Sequence, residues 1–205
     1  MEEQENKGTN ETKNGKVVLL IVIAIIAIAL IVTGIVFAIN ANKPKSNVQI
    51  TSAEDMQNLI NNVYSGVNVQ LPPSLNTQVI DVNNADILKA YTGLSSNENI
   101  DAVVASEPMI GSQAYSFVLV KVKDGADADS IAKEMSENVN TAKWICVAAD
   151  KLYATSVDNL AVLVMASDEW ATPVYNKVKE ILGAHNEEYT KTNREQIPDG
   201  GSVAL

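Results

Sequence analysis

The chain has 205 residues, of which 46% are hydrophobic, and its 25 acidic and 15 basic side chains leave a net charge of −10. That acidity argues against a nucleic-acid binder, because a phosphate backbone selects basic surfaces. The single Cys excludes an internal disulfide framework or a multi-Cys metal cage, and the single His excludes multi-His zinc sites.

Residues 1–16 form an acid-rich polar tail, expected on the cytoplasmic side. Val17–Ile39 then holds 21 hydrophobic residues out of 23 and no charge. At the helical rise it spans roughly 34 Å, enough to cross a hydrocarbon core of about 30 Å. A buried core helix would show polar residues at helical spacing, and here only Thr33 and Gly34 interrupt the run. Val36-Phe37-Ala38 fits a signal-peptidase site loosely, but the apolar run is too long and its flank too acidic for a secretory leader. No Cys directly follows to carry a lipid. Lys7, Lys13 and Lys16 precede the helix and Lys43 and Lys45 follow it, which favours an internal N-terminus. Ala29-x-x-x-Thr33 and Gly34-x-x-x-Ala38 are spacings that permit close helix approach.

Residues 40–50 read as a short linker, in which Pro44 discourages a continuous helix. A folded domain is expected over 51–183. Thr51 with Glu54 reads as a capping box for a first helix carrying Met56, Leu59, Ile60 and Val63 and stopped at Ser65-Gly66. Val67–Pro73 is extended but cannot be a central strand, since Pro72 and Pro73 lack backbone donors. A short helix over Asn84–Tyr91 presents Ile87, Leu88 and Tyr91 and ends at Gly93. Ile100–Ser106 and Tyr115–Lys123 read as strands. In the second, Val118, Val120 and Val122 share one face while Lys121 and Lys123 suggest a wet one.

Asp127 or Asp129 caps a third helix with a stripe of Ala128, Ile131, Ala132, Met135 and Val139. Three more strands are expected at Trp144–Ala148, Leu152–Val157 and Leu160–Ala166, the last two joined by a tight Asp158-Asn159 turn. Pro173 suits the first position of a final helix behind Thr172, with Val174, Val178, Ile181 and Leu182 inward and Gly183 as its cap. Residues 184–205 read as a polar C-terminal tail. The ordering predicts an α+β domain, a mainly antiparallel sheet with helices on one face, preceded by a single transmembrane helix.

Few residues suggest chemistry. Asp124, Asp127 and Asp129 crowd one loop, but their spacing does not fit a calcium loop, and acids suit a helix start. Cys146 lies in the run WICV, with no base nearby in sequence to activate it, so a buried thiol is expected. His185 is expected to face solvent. Asp101, Glu107 and Asp150 could supply a carboxylate pair for glycoside hydrolysis, yet nothing marks two of them as convergent. Trp144 and Trp170 sit in apolar patterns and are expected to pack in the core. No phosphate loop, nucleophile elbow or zinc-protease motif occurs. The sequence therefore assigns no catalytic, cofactor-binding or metal residue, and no cofactor.

Ala90-Tyr91-Thr92-Gly93-Leu94, Glu107-Pro108-Met109, the strand FVLVKVKDG over 117–125, the helix DADSIAKEM and the closing LAVLVMAS carry a resemblance. Over about 81–166 the chain resembles an uncharacterised extracytoplasmic domain found on envelope lipoproteins of Firmicutes-type bacteria, a domain family of unknown function. The resemblance implies an envelope location and a compact α+β domain, with no activity or site residues to transfer. Such proteins commonly carry a lipidated Cys, where this chain has an apolar helix in the same role. The expected function is a single-pass, membrane-anchored extracytoplasmic module, held through Val17–Ile39, that binds a protein or cell-wall partner without catalysis. An accessory subunit of a membrane complex and a wall-acting enzyme are the alternatives.

Overall fold

The structure, a computed structural model, describes residues 18–28 and 45–193. It comprises two compact units, residues 1–43 and 44–205. Within the first, residues 18–28 are helical and form α1. The rest of the predicted membrane helix, residue 17 and residues 29–39, lies outside the described residues. Among the described residues, no helix is long and apolar enough to cross a membrane. All nine Val, Leu and Ile side chains of α1 are 46–65% exposed.

The second unit contains α2 (Ala53–Gly66), β1 (Leu75–Ile80), α3 (Ala85–Thr92), β2 (Ile100–Pro108), β3 (Tyr115–Val122), α4 (Ala128–Asn138), β4 (Lys151–Val157), β5 (Leu160–Ala166), α5 (Asp168–Leu182) and β6 (Tyr189–Thr192). The strands form one sheet in the order β1-β2-β3-β5-β4-β6, and every neighbouring pair is antiparallel. The α+β class and the antiparallel sheet agree with the sequence reading.

Helices on one face do not. Met56, Leu59, Ile60 and Val63 of α2 and Val174, Tyr175, Val178 and Leu182 of α5 bury Phe117, Leu119, Val162 and Val164 on one side. Leu88 of α3 and Ile131, Ala132 and Met135 of α4 bury Val103, Val118, Val120 and Leu163 on the other. The wet face suggested by Lys121 belongs only to the end of β3, where the lysine pairs with Asp101. Leu160–Ala166 is buried at every position, which only a strand covered on both faces can be.

Four local expectations also shift. The first helix is capped one residue later: Ser52 Oγ accepts from Asp55 N at 3.2 Å, and the Asp55 carboxylate accepts from Ser52 N at 2.9 Å. The last helix begins at Asp168, five residues before Pro173, which sits inside it. Its opening turn, Asp-Glu-Trp-Ala, is helical without a proline at its start, and Pro173 removes one later backbone donor. Trp144–Ala148 is loop rather than strand, its apolar residues being divided between core contact and solvent. Finally, β6 arises from the stretch read as tail, pairing Lys151–Ala154 with Tyr189–Thr192. β1 was not legible either.

Candidate functional site

The antiparallel register gives the sheet two ends. The β4–β5 turn at Asp158-Asn159 lies at one, beside Val122 and Lys121; the β2–β3 loop lies at the other, beside Ala166 and Lys151. The chain enters the domain at the first end. Ser46 bridges to Gly183, its N–H donates to Asp158 Oδ2 at 2.8 Å, and Asn159 Nδ2 donates to Ile50 O at 3.1 Å. A cleft of about 440 Å³ opens there between 45–51 and 157–160. Its polar groups hold the chain's own backbone, so it is a seam between linker and turn.

The second end carries the more unusual chemistry. Glu107 on β2 and Ser116 on β3 lie on the α3/α4 face, one strand step beyond Ala105 and Val118. Ser116 Oγ donates to Glu107 Oε1 at 2.6 Å. Lys143, from the loop after α4, forms an ion pair with the same oxygen, and only 15% of its side chain and 18% of that of Glu107 is exposed. Its ammonium also reaches Ala90 O at 3.3 Å and stands 5.0 Å from the Tyr91 ring centre and 5.6 Å from that of Trp144. Tyr91 accepts from Gln78 Nε2 at 2.8 Å. Burial pushes the Lys143 pKa below its usual value, with the Glu107 carboxylate acting against the fall. Burial, and then Glu107, raise that of Tyr91.

Two backbone features place Lys143. Gly93 ends α3 at φ +79°, and a Cβ there would lie 2.4 Å from Val139 N. The bare glycine thus lets the end of α3 abut the end of α4. Beyond it, Ala149 N donates to Thr141 O and Ile145 N to Gly111 O, both at 2.8 Å. The second bond ties the loop to the β2–β3 turn. Cys146 adopts a left-handed backbone, φ +60°, a conformation that L residues hold only when their surroundings impose it. The result is an apolar tip: Met109 is 78% exposed, Ile110 55% and Ile145 71%. No charged residue occurs in 109–113 or 144–149.

The arrangement brings a hydroxyl, a carboxylate and an ammonium together at one shielded oxygen. Ser116 Oγ donates to the carboxylate, and Lys143 pairs with the same oxygen as an ammonium, which has no lone pair with which to take a proton. The ion pair is shielded by the Tyr91 and Trp144 rings, and the exposed Met109, Ile110 and Ile145 lie on the loops beside it.

The other residues singled out in the sequence lie apart from it or do different work. Asp127 caps α4, accepting from Ser130 Oγ at 2.7 Å, and Asp129 accepts from Ser156 Oγ at 3.0 Å and Tyr189 Oη at 2.8 Å. Among the described residues, no group of three His, Cys, Asp or Glu side chains is placed to hold a metal. Asp101 pairs with Lys121, and Asp150 accepts from Asp168 N at 3.1 Å, so neither joins Glu107 at its oxygen. Cys146 is exposed, not buried, because the loop's positive φ turns it outward with Ile145. His185 is half-buried rather than solvent-facing: the Glu188 carboxylate lies 3.3 Å from its Nε2, and its Nδ1 meets Asn186 O at 2.8 Å. Trp170 packs edge-on to Tyr115 and donates to Gln70 O at 3.0 Å. Lys143 carries no signal of its role, since nothing in its local sequence points to a partner 36 residues away.

Compared with known proteins, the chain matches no family model, no curated protein and no solved structure.

Proposed function

We propose that this is a single-pass membrane protein, N-terminus cytoplasmic, whose extracytoplasmic α+β domain is a non-catalytic interaction module. The observation that carries the tether is the uncharged 23-residue run Val17–Ile39. Its described portion is a helix with aliphatic side chains exposed on every side, a surface that water does not tolerate and a bilayer does. The resemblance of 81–166 to an extracytoplasmic envelope domain points the same way.

The Met109–Ile110–Ile145 tip is the contact surface in this reading, and its partner is a protein. Residues 51–183 hold 17 acids against 8 lysines, which repels anionic wall polymers and lipid headgroups. An uncharged apolar rim suits a protein surface instead. The tip also lies at the end of the sheet opposite the turn that Ser46 meets.

Alkaline carbonate washing of membranes, followed by protease treatment of intact cells, tests this directly. The chain should stay with the membrane pellet, and external protease should cut the domain. Release into the wash, or full protection of the domain, contradicts the reading.

A further inference from the structure

A sheet with the order β1-β2-β3-β5-β4-β6 has two edges, and they differ. β6 is four residues long, and its Lys191 reaches Glu137 O at 3.0 Å. Shortness and an edge lysine are common ways to keep an edge from pairing with another chain. β1 has neither. Its six residues, Leu-Asn-Thr-Gln-Val-Ile, carry no charge and no proline, and they pair with β2 without a bulge.

The register identifies which backbone groups are open. Met109 N donates to Ser74 O at 3.1 Å, so Ser74 and Met109 are a hydrogen-bonded pair. By alternation Asn76, Gln78 and Ile80 bond inward to β2, and Leu75, Thr77 and Val79 direct their N–H and C=O groups outward. Among the described residues, no strand other than β2 pairs with β1. Val79 is 55% exposed beside these groups.

The strand is also self-complementary. If a second copy of β1 is laid antiparallel about a two-fold axis through Thr77, Leu75 faces Val79, Asn76 faces Gln78, and Thr77 faces itself. Apolar meets apolar on the α2/α5 face, and amide meets amide on the α3/α4 face. All three outward residues then exchange both backbone hydrogen bonds. The next acid along the chain, Asp81, falls opposite Pro73, so two strongly acidic domains meet without placing like charges together. Such self-complementarity is what a two-fold interface requires.

We propose that β1 pairs with β1 of a second copy about Thr77, joining two sheets into one continuous twelve-stranded sheet. The occupant of this edge is thus another copy of the chain.

The test uses the full chain in detergent micelles with its native thiol removed by Cys146→Ser. Thr77→Cys in that background should form a disulfide-linked dimer under mild oxidation. Asn76→Cys alone should not, but should cross-link when mixed with Gln78→Cys. This pattern specifies the register, and both of those positions lie at or near the surface, so folding is preserved. Adding Val79→Lys, at an exposed site, should slow cross-linking of the Thr77→Cys variant about tenfold. Absence of a dimer from Thr77→Cys together with absence of the mixed cross-link between positions 76 and 78 overturns the proposal. So does self-cross-linking of Asn76→Cys as fast as the mixture, or a Thr77→Cys rate unchanged by Val79→Lys.

Discussion

The two faces of the sheet are built from different materials. Tyr64, Tyr115, Phe117 and Trp170 form a chain of tilted and edge-on rings on the α2/α5 face, and Tyr153 stacks on Tyr175 at 4.6 Å. Tyr115 Oη donates to Tyr64 Oη at 3.2 Å, which satisfies a hydroxyl that burial forces to stay neutral. The α3/α4 face is mostly Val, Ala, Leu, Ile and Met, and it ends in the Glu107–Lys143 pair. One face adds buried rings to its aliphatic core; the other is aliphatic at its centre, with the Glu107–Lys143 ion pair at its rim. Large packed rings stabilise the first face, whereas a shielded ion pair costs the second some stability and so invites a functional reason for its presence.

The two faces meet most closely at β3, where neighbouring residues serve opposite sides. Phe117→Ala should destabilise by about 4 kcal/mol, because it removes a ring that contacts Tyr64. Val118→Ala should cost only about 2 kcal/mol. Urea unfolding of the two variants measures the gap, and equal losses would mean that the faces are energetically alike.

The ion pair comes next. Lys143→Met leaves Glu107 shielded without a counter-charge and should cost about 3 kcal/mol. Combining it with Glu107→Gln should recover most of that loss. A double variant as unstable as the single one would show that Lys143 acts through its stem packing on Tyr91 and Trp144 and not through charge.

A smaller effect sharpens the α2 side. Hydrogen bonds from Thr51 and Ser52 hold the Asp55 carboxyl down at about 2. A carboxyl lowered by folding contributes stability that is present above about pH 4 and lost as pH falls towards 2. Asp55→Asn should therefore lower Tm at pH 6 and reduce the further loss between pH 4 and pH 2. A fall in that range as steep as in the parent would assign the acid sensitivity to other groups.

The smallest effect belongs to the tip. Ile110→Ser and Ile145→Ser should change stability by no more than about 0.5 kcal/mol, since both side chains are already in water. They should nevertheless abolish recovery of a partner in cross-linking from intact cells. A marked stability loss would make the tip structural.

The legible parts of this fold are those with a one-sided or continuous apolar signal. The helical stripes Met56–Val63 and Ala128–Met135 and the strands β2 to β5 stand out because burial demands their patterns. β1 and β6 do not, because an edge strand such as Leu75–Ile80 or Tyr189–Thr192 buries too little to need alternation. The opposite error arose at Trp144–Ala148, where an apolar run suggested a strand, but Trp144 packs inward while Ile145 and Cys146 face water. Both faces being covered was in principle readable from Leu160–Ala166, whose apolar side chains do not alternate with polar ones. The candidate site was half legible. Glu107 is conspicuous as a carboxylate in a strand, but only the α3–α4 junction at Gly93 and the tied loop bring Lys143 to it.

Cys146 offers the most direct test of the tethered, outward-facing domain, being the only thiol in the chain and exposed at the tip. Intact cells producing the full chain are treated with a membrane-impermeant maleimide and compared with lysed cells. A tethered, outward-facing domain gives equal labelling of Cys146 in both. Labelling that appears only after lysis would place the domain on the inner side and contradict this topology.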